Sequence, residues 1–169
     1  MKKASKIIIL IGCVFVFPFS LVAKKSENPR ADRIVIEKEA RRMTLYHGKD
    51  TLKVYSVSLG KDPIGAKQKQ GDHKTPEGHY VIDWRNPNSA YHRSLHISYP
   101  SSSDSENAKA RGVTPGGYIM IHGLPNGMPD LGPLQSFADW TDGCVAVSNS
   151  EMDEIWDLVA DGTPVDILP

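Results

Sequence analysis

The chain has 169 residues, of which 40% are hydrophobic and 24% charged, and its formal net charge at pH 7 is zero. A chain of this length and composition can bury a hydrophobic core of its own, which places it among globular domains. The 20 basic residues are balanced by 20 acidic ones, so the charge excludes the strongly basic footprint of a nucleic-acid-binding protein.

Residues 1–23 are predicted to be a secretory signal peptide. Lysines precede an apolar run from Ile7 to Val22, and Ala23 stands before charged residues, an order typical of a cleaved signal. An uncleaved anchor is one alternative, because the run is close to the lower limit of roughly 17 residues for crossing a bilayer. Lipidation of Cys13 is another, because LIGC resembles a lipobox. The apolar run continues past Cys13, however, where a polar tether is usual.

Loss of this segment would remove Cys13 and leave Cys144 as the single cysteine. Three of the 20 basic residues lie in the signal, so the rest of the chain has a net charge of about −3. Secreted domains normally use cysteines in disulfide pairs, and an odd cysteine indicates a reactive thiol or intermolecular pairing. A buried, inert cysteine is the structural alternative.

Residues 24–32 are polar and are predicted to be a flexible lead-in to a domain that spans 33–169. From Arg33 onward, apolar residues recur in short alternating or β-branched runs, which is typical of strands. The sequence HGKD, His47 to Asp50, lies between two of these runs and predicts a hairpin turn. An antiparallel meander is therefore expected to open the domain.

The middle of the chain alternates loops with short strands. GKDPIGAKQKQGDHKTPEG is rich in Gly, Pro, Lys and Asp and predicts a long loop, a kind that is often functional. The strands HYVIDW and SLHISYP follow. A short helix through Ala110 is expected next, with Asp104 as its cap and Gly112 as its end. YIMIHG then predicts a strand that ends on His122, followed by a second Gly/Pro-rich loop with one helical turn near its end.

The C-terminal segment contains the clearest helix. SNSEMDEIWDLVADG offers Ser148 or Ser150 as the N-cap and acidic residues in the first turn. Its apolar residues have the i, i+3, i+4, i+7 spacing of one helix face: Met152, Ile155, Trp156 and Val159. TPVDILP predicts a final strand, so the sequence as a whole predicts a mainly β domain with two or three short helices.

Cys144 begins one predicted strand, and His122 ends another. If the two strands are neighbours, the histidine comes within reach of the thiol, and such a base can activate a cysteine as a nucleophile. Gly143 permits a sharp turn before the cysteine, which can direct its own N–H and that of Cys144 at one oxyanion.

The other histidines give weaker signals. His73 and His79 lie in a loop and are predicted to be surface residues. His92 and His96 have a spacing that could hold zinc on a helix, but the pattern around them is that of a strand. No metal site is expected.

The residues around His122 and Cys144 closely resemble the catalytic signature of the L,D-transpeptidase (YkuD-like) family, in which H-G and a loop are followed by S-H-G-C-x-R. The corresponding letters here are IHG and TDGC. Further matches are RIVIEK, GDHKTPEGHYVID, LHISYP, GVTPGGYIMIHG and TPVDIL. The resemblance covers Arg33 to Leu168 and implies an L,D-transpeptidase-like β-sandwich or barrel.

What the resemblance implies is a periplasmic enzyme that acts on peptidoglycan stem peptides without a cofactor. Cys144 would be the nucleophile and His122 the general base, and the carbonyl of Gly123 would orient the histidine ring. Gly143 and Cys144 would form the oxyanion hole. The residues expected to contact substrate are Thr141, Asp142, His96 and Tyr99, with a core position as the alternative for the tyrosine.

The fate of a Cys144 thioester separates the candidate activities. An amine from a neighbouring stem peptide would give a cross-link, and an envelope protein is a further class of acceptor. Water would instead make the enzyme an L,D-carboxypeptidase or an isopeptidase. A peptidoglycan-binding module without chemistry is the alternative from another class. The domain is expected to be a monomer with no nucleic-acid partner and no stable membrane insertion after signal cleavage.

The chain departs from the family signature at two positions. Asp142 stands in place of the usual histidine, and its negative charge should raise the pKa of the neighbouring thiol unless a Cys–His ion pair offsets it. Ala146 stands in place of the usual arginine, a natural partner for a carboxylate. Arg93 and Arg111 are the candidates to replace that arginine.

Overall fold

The computed structural model describes residues 29–129 and 138–169. The predicted signal peptide, and residues 130–137 of the second Gly/Pro-rich loop, where most of its expected helical turn falls, lie outside the described residues. Among those described, no helix is both long and apolar enough to cross a membrane.

In the described part of the chain, eight strands form one curled sheet in the order β3-β2-β1-β8-β4-β5-β6-β7. The fold is mainly β, as predicted, and two helices accompany the sheet in the described ranges. The strands are β1 (Arg33–Glu37), β2 (Arg42–His47), β3 (Asp50–Ser56), β4 (Gly78–Ser89), β5 (His92–Ile97), β6 (Met120–His122), β7 (Val145–Ala146) and β8 (Pro164–Leu168).

The opening meander is confirmed. β2 pairs antiparallel with both β1 and β3, and His47 pairs with Asp50 across the turn that HGKD predicted. The last strand, β8, lies parallel to β1 and antiparallel to β4. The C-terminal strand therefore joins the meander to the half of the sheet that carries His122.

The two edges of the sheet meet beside β7. Ser58, just beyond β3, pairs antiparallel with Ala146, and Gly60 pairs parallel with Thr141. Both backbone hydrogen bonds between Ser58 and Ala146 are formed, at 2.9 and 2.8 Å. The short strand after Cys144 is thus held on one side by β6 and on the other by the chain that leaves β3.

The core lies between the sheet and the second helix. Alternate residues of the central strands are fully buried, including Ile34, Ile36 and Ile167, as expected for strands with one face on a core. Full burial of one such side chain stabilises the fold by roughly 1.5–3 kcal/mol. Met152 and Ile155 pack into the same cluster from the helix, so the predicted apolar stripe is confirmed.

The helices are α1 (Ser102–Ala110) and α2 (Asn149–Leu158), each with a capping box. Ser148 caps α2, which is one of the two residues predicted. The predicted cap of α1 is wrong: Ser101 is the N-cap, and Asp104 is the third helical residue, whose carboxylate accepts from the Ser101 amide at 2.9 Å. The serine hydroxyl can bond the exposed amide of Asp104 from outside the helix, while the carboxylate reaches back to the serine.

Candidate active site

Cys144 and His122 lie at the ends of adjacent strands. β6 and β7 run parallel, with Ile121 opposite Val145 and His122 opposite Ala146. Cys144 directly precedes β7 and is therefore level with Met120. The neighbouring strands that the sequence analysis required are present, and both side chains line one groove.

The ring of His122 is held in one orientation. Its Nδ1 lies 2.7 Å from the carbonyl oxygen of Gly123, so Nδ1 carries the proton and Nε2 is the basic atom. The rings of Tyr91 and Trp140 pack on it at centroid distances of 4.7 and 5.7 Å. Burial lowers the pKa of His122 below its ordinary 6.5, although the Gly123 carbonyl opposes this change. The imidazole is therefore neutral at pH 7.

Gly123 is packed too closely for a larger residue. A Cβ on it would lie 2.5 Å from Oδ1 of Asn149 and 3.0 Å from the Cβ of His92. Asn149, the first residue of α2, also accepts a hydrogen bond from the Leu124 amide at 2.8 Å. The start of α2 thus fixes the backbone that orients the His122 ring.

The Cys144 thiol is partly buried and donates weakly to the carbonyl of Tyr118, with a distance of 3.6 Å from Sγ to oxygen. Burial raises its pKa above the ordinary 9.0, and the charge of Asp142 adds to this, while the Met120 backbone and Lys67 oppose it. These directions do not favour the Cys–His ion pair that would offset the charge of Asp142. A neutral thiol and a neutral imidazole are favoured instead.

The turn before the cysteine is organised by Thr141. Its hydroxyl donates to the Cys144 carbonyl at 2.8 Å and accepts from the Gly143 amide at 3.1 Å. Gly143 has φ +129°, and a Cβ there would lie 2.7 Å from the Lys74 carbonyl oxygen. The Gly143 N–H, one of the two donors predicted for the oxyanion hole, donates to this hydroxyl in the structure.

Asp142 lies on the rim of the groove and not against the thiol. Its carboxylate accepts from Nζ of Lys61 at 3.0 Å and contacts Nδ1 of His73 at 2.9 Å, and its side chain is 75% exposed. Hydrogen bonds from Lys61 and His73 lower its pKa. Sequence reasoning placed His73 on the surface but missed this contact, since no local pattern links residues 69 positions apart.

The groove has a volume of about 510 Å³. Besides the predicted His122, Thr141, Asp142 and Cys144, several residues that the sequence analysis did not assign to the site line it: Lys61, Asn86, Ser89, Ala90, Ser94, Tyr118, Met120 and Trp140. Tyr91 also lines it. Trp140 and Tyr118 lie close in sequence to Cys144 and His122, and this proximity could have identified them as residues of the site.

Tyr99 and His96 do not line this groove. Tyr99 is 3% exposed, and its hydroxyl donates to the Pro115 carbonyl at 3.0 Å, so it is a core residue as the alternative allowed. Burial raises its pKa to about 12. His96 bonds Asp83 at 2.6 Å and lies in a strand, as His92 does.

The absent arginine is not replaced by either candidate. Arg93 pairs with Asp153 at 3.2 Å and packs over Trp156, while Arg111 caps α1. Ala146 is 2% exposed, inside the closure of the sheet, where an arginine side chain would have to displace packed neighbours. The cation that lines the groove among the described residues is Lys61.

The fold and this arrangement of cysteine and histidine define a class of protein. Residues 31–167 match the family model of the L,D-transpeptidase catalytic domain, YkuD, so the chain belongs to that family.

Among curated proteins, the chain is similar to the Escherichia coli K12 protein named "Putative L,D-transpeptidase YafK". The two are 34% identical over 133 residues, which cover 75% of this chain and 46% of YafK. The chain thus spans about half the length of the curated relatives that it matches.

Solved structures show the same fold. The helical cell shape determining protein Pgp2 from Campylobacter jejuni superposes with a TM-score of 0.62 at 23% identity, over 83% of this chain and 48% of Pgp2. Bd1075 from Bdellovibrio bacteriovorus superposes with a TM-score of 0.56 at 27% identity, over 83% of this chain and 48% of Bd1075. The Enterococcus faecium L,D-transpeptidase C442S mutant superposes with a TM-score of 0.52 at 18% identity, over 83% of this chain and 50% of the mutant chain.

Proposed function

We propose that this protein is a periplasmic L,D-transpeptidase that acts on peptidoglycan stem peptides through a thioester on Cys144. The observation that supports the proposal most directly is the placement of thiol and imidazole on neighbouring strands of one groove, with Nδ1 of His122 bonded to the Gly123 carbonyl. An inert cysteine would need neither a base oriented in this way nor a groove.

The first step is acylation of the thiol. A substrate carbonyl displaces the weak contact between Sγ and Tyr118, and Nε2 of His122 takes the thiol proton. The sulfur attacks the carbonyl carbon of the L-centre that precedes the terminal D-residue. The C–N bond breaks, and the departing amine takes the proton from His122. The products are a thioester and a free D-amino acid.

The developing oxyanion needs N–H donors. In this proposal the Cys144 amide is the first, because the Gly143 amide donates to the Thr141 hydroxyl in the structure. The Gly143 N–H can become a second donor if the Thr141 side chain changes rotamer and moves its hydroxyl oxygen, which accepts that N–H at 3.1 Å, away from it.

The second step is transfer of the acyl group. The amine of a neighbouring stem peptide attacks the thioester, its proton returns through His122 to the thiol, and a new amide joins the two stems. Attack by water would instead give a carboxypeptidase or, on a linked protein, an isopeptidase. The same Cys144 and His122 serve each outcome, so the products distinguish them.

Lys61 is proposed to take over the part of the absent arginine. Lys61 lines the groove, its side chain is 56% exposed, and its ammonium group pairs with Asp142 on the groove rim at 3.0 Å. A substrate carboxylate could compete with Asp142 for this group. The terminal D-residue carries such a carboxylate on the leaving side of the scissile bond.

The test is intact-mass spectrometry of the purified chain after incubation with disaccharide-tetrapeptide and, separately, with a carbapenem. A drug adduct that is absent in Cys144→Ala, together with a cross-linked dimer, is the expected result. Release of the D-residue without a dimer would identify the carboxypeptidase. Normal turnover by Cys144→Ala would overturn the proposal. Peptide binding without adduct or product would favour the binding module.

A further inference from the structure

One row of side chains extends from the thiol across the sheet. Trp84 on β4 pairs with His96 on β5, and His96 pairs with Met120 on β6. Met120 is in turn level with Cys144, because its neighbour Ile121 pairs with Val145. The row therefore runs Trp84, His96, Met120, Cys144 across four adjacent strands of the sheet order.

These side chains share the groove face of the sheet. Leu95 and Ile121, which alternate with them along β5 and β6, are fully buried on the opposite face. The next row consists of Asn86, Ser94 and His122, and all three of its members line the groove. Trp84 thus lies beyond one end of the groove, on the same face as the nucleophile.

Trp84 is a fixed and exposed aromatic surface. Its ring stacks on His96 with centroids 5.1 Å apart and planes 17° apart, and the residue is 38% exposed. His96 is itself held by Asp83 at 2.6 Å. Tyr118 meets His96 edge-on at 6.1 Å and is 76% exposed, with φ +57°. A non-glycine residue with positive φ is strained, which is a recurring feature of functional sites.

The opposite end of the groove is charged, with Lys61 and Asp142 on its rim. A stem peptide has a matching polarity, because its terminal D-residue ends in a carboxylate and its other end is attached to a sugar. The C–H face of a sugar ring packs well on an indole, whose large apolar surface combines with a polar N–H. We propose that Trp84, supported by His96, binds the sugar to which the stem peptide is attached.

The spacing along the row agrees with this occupant. Three strand spacings of ~4.8 Å separate Trp84 from the position of Cys144, or about 14 Å. The three residues between the scissile carbonyl and the sugar span roughly 10 Å when extended, and the ether link to the sugar adds the remainder. An acyl donor anchored at Cys144 therefore places its sugar over Trp84. This inference rests on the proposed function for its substrate class.

The test measures binding, without turnover, to the Cys144→Ala protein. The two probes are disaccharide-tetrapeptide and the same tetrapeptide without sugar, titrated by calorimetry. Adding Trp84→Ala should weaken binding of the disaccharide-tetrapeptide about 10-fold and leave the free tetrapeptide unchanged. In an NMR titration, the Trp84 indole N–H signal, identified by its loss in Trp84→Phe, should shift with the first probe only.

Val81→Ala is the matched control, since Val81 lies on the same strand and is also 38% exposed; it should change neither affinity. Trp84→Phe keeps an aromatic face and should retain most of the sugar-dependent affinity, which separates contact from misfolding. An equal loss for both probes, or no loss for either, would overturn the sugar site and leave the proposed function intact. Failure of both probes to bind before Trp84 is changed would overturn both.

Discussion

Two Lys–Asp pairs flank the site, and they differ in burial. Lys67 and Asp72 pair at 2.7 Å with side chains only 4% and 8% exposed, while Lys61 and Asp142 pair at 3.0 Å with side chains 56% and 75% exposed. The Asp72 carboxylate also accepts hydrogen bonds from backbone amides that precede and follow it in the loop. The buried pair holds the long loop after β3 in shape, and the exposed pair places charge at the mouth of the groove.

This difference shows that a charged residue close in sequence need not be the main influence on the pKa of its neighbour. Asp142 is two residues from Cys144, yet its carboxylate is solvated and is matched by Lys61 and His73. Burial raises the pKa of the thiol more than Asp142 does. Exposed charges interact weakly because water and salt screen them, so changes in buried groups should have the larger effects.

The largest effect should come from His122, the buried residue that is proposed as the general base. His122→Gln keeps a polar side chain but removes the group that accepts the thiol proton, and we expect turnover to fall about 10³-fold. Because burial lowers the pKa of His122, the acid limb of the wild-type rate profile should lie below pH 6.5, where the imidazole becomes protonated. Initial rates across pH measure both, and a variant within tenfold of wild type would contradict the assignment.

The two aspartates should differ sharply in their effect on stability. Asp72→Asn leaves the Lys67 ammonium buried without its carboxylate, which should cost about 3 kcal/mol of the free energy of unfolding. Asp142→Asn, the matched change in the exposed pair, should cost nothing measurable. Urea unfolding at pH 7 compares the two variants directly. Equal losses in the free energy of unfolding would contradict the view that burial makes the Lys67–Asp72 pair more important for stability.

Acid should destabilise the protein through the buried Lys67–Asp72 pair, as Asp72→Asn does. Burial by itself would raise the pKa of Asp72, but bonds from Lys67 and from backbone amides outweigh it and lower the pKa from 3.8 to about 2. The stabilisation is therefore present above pH 3.8 and is lost as pH falls toward 2. It amounts to on the order of 2 kcal/mol. Urea midpoints between pH 5 and 2 should fall less steeply in Asp72→Asn than in the wild type.

The smallest effect should be that of Asp142 on the thiol. In the wild type, alkylation of Cys144 by iodoacetamide should rise with pH to a midpoint above 9.0, because burial raises the thiol pKa. Asp142→Asn should move this midpoint slightly downward, since it removes a negative charge near the thiolate. Mass spectrometry of the alkylated protein follows both. A large shift would mean that the exposed carboxylate controls the nucleophile.

Much of the fold could be predicted because its signals are local. Alternation, turn residues and capping boxes give the meander and α2, and each involves residues close in sequence. Tyr99 could also have been placed, because Leu95, Ile97 and Tyr99 alternate on one buried face, with His96 on the other. The period of two argues for a core tyrosine more strongly than proximity to a suspected site argues for a substrate contact.

The parts that could not be predicted depend on distant contacts. The pairing of His73 with Asp142 follows from the closure of the sheet, and so does the burial of Ala146. The engagement of the Gly143 amide depends on the rotamer of the Thr141 hydroxyl, which no spacing of residues reveals. In each case the sequence identifies the residue types, and the tertiary fold decides their partners.

The two-residue strand β7 affects the order in which the protein folds. Two residues cannot form a stable strand alone, and within ranges 29–129 and 138–169 β7 pairs with β6 and with Ser58, which is 88 positions before its partner Ala146. Contacts of such high sequence separation form late in folding. The proposed nucleophile should therefore be positioned only after the rest of the sheet has formed, and a partly folded chain carries no organised site.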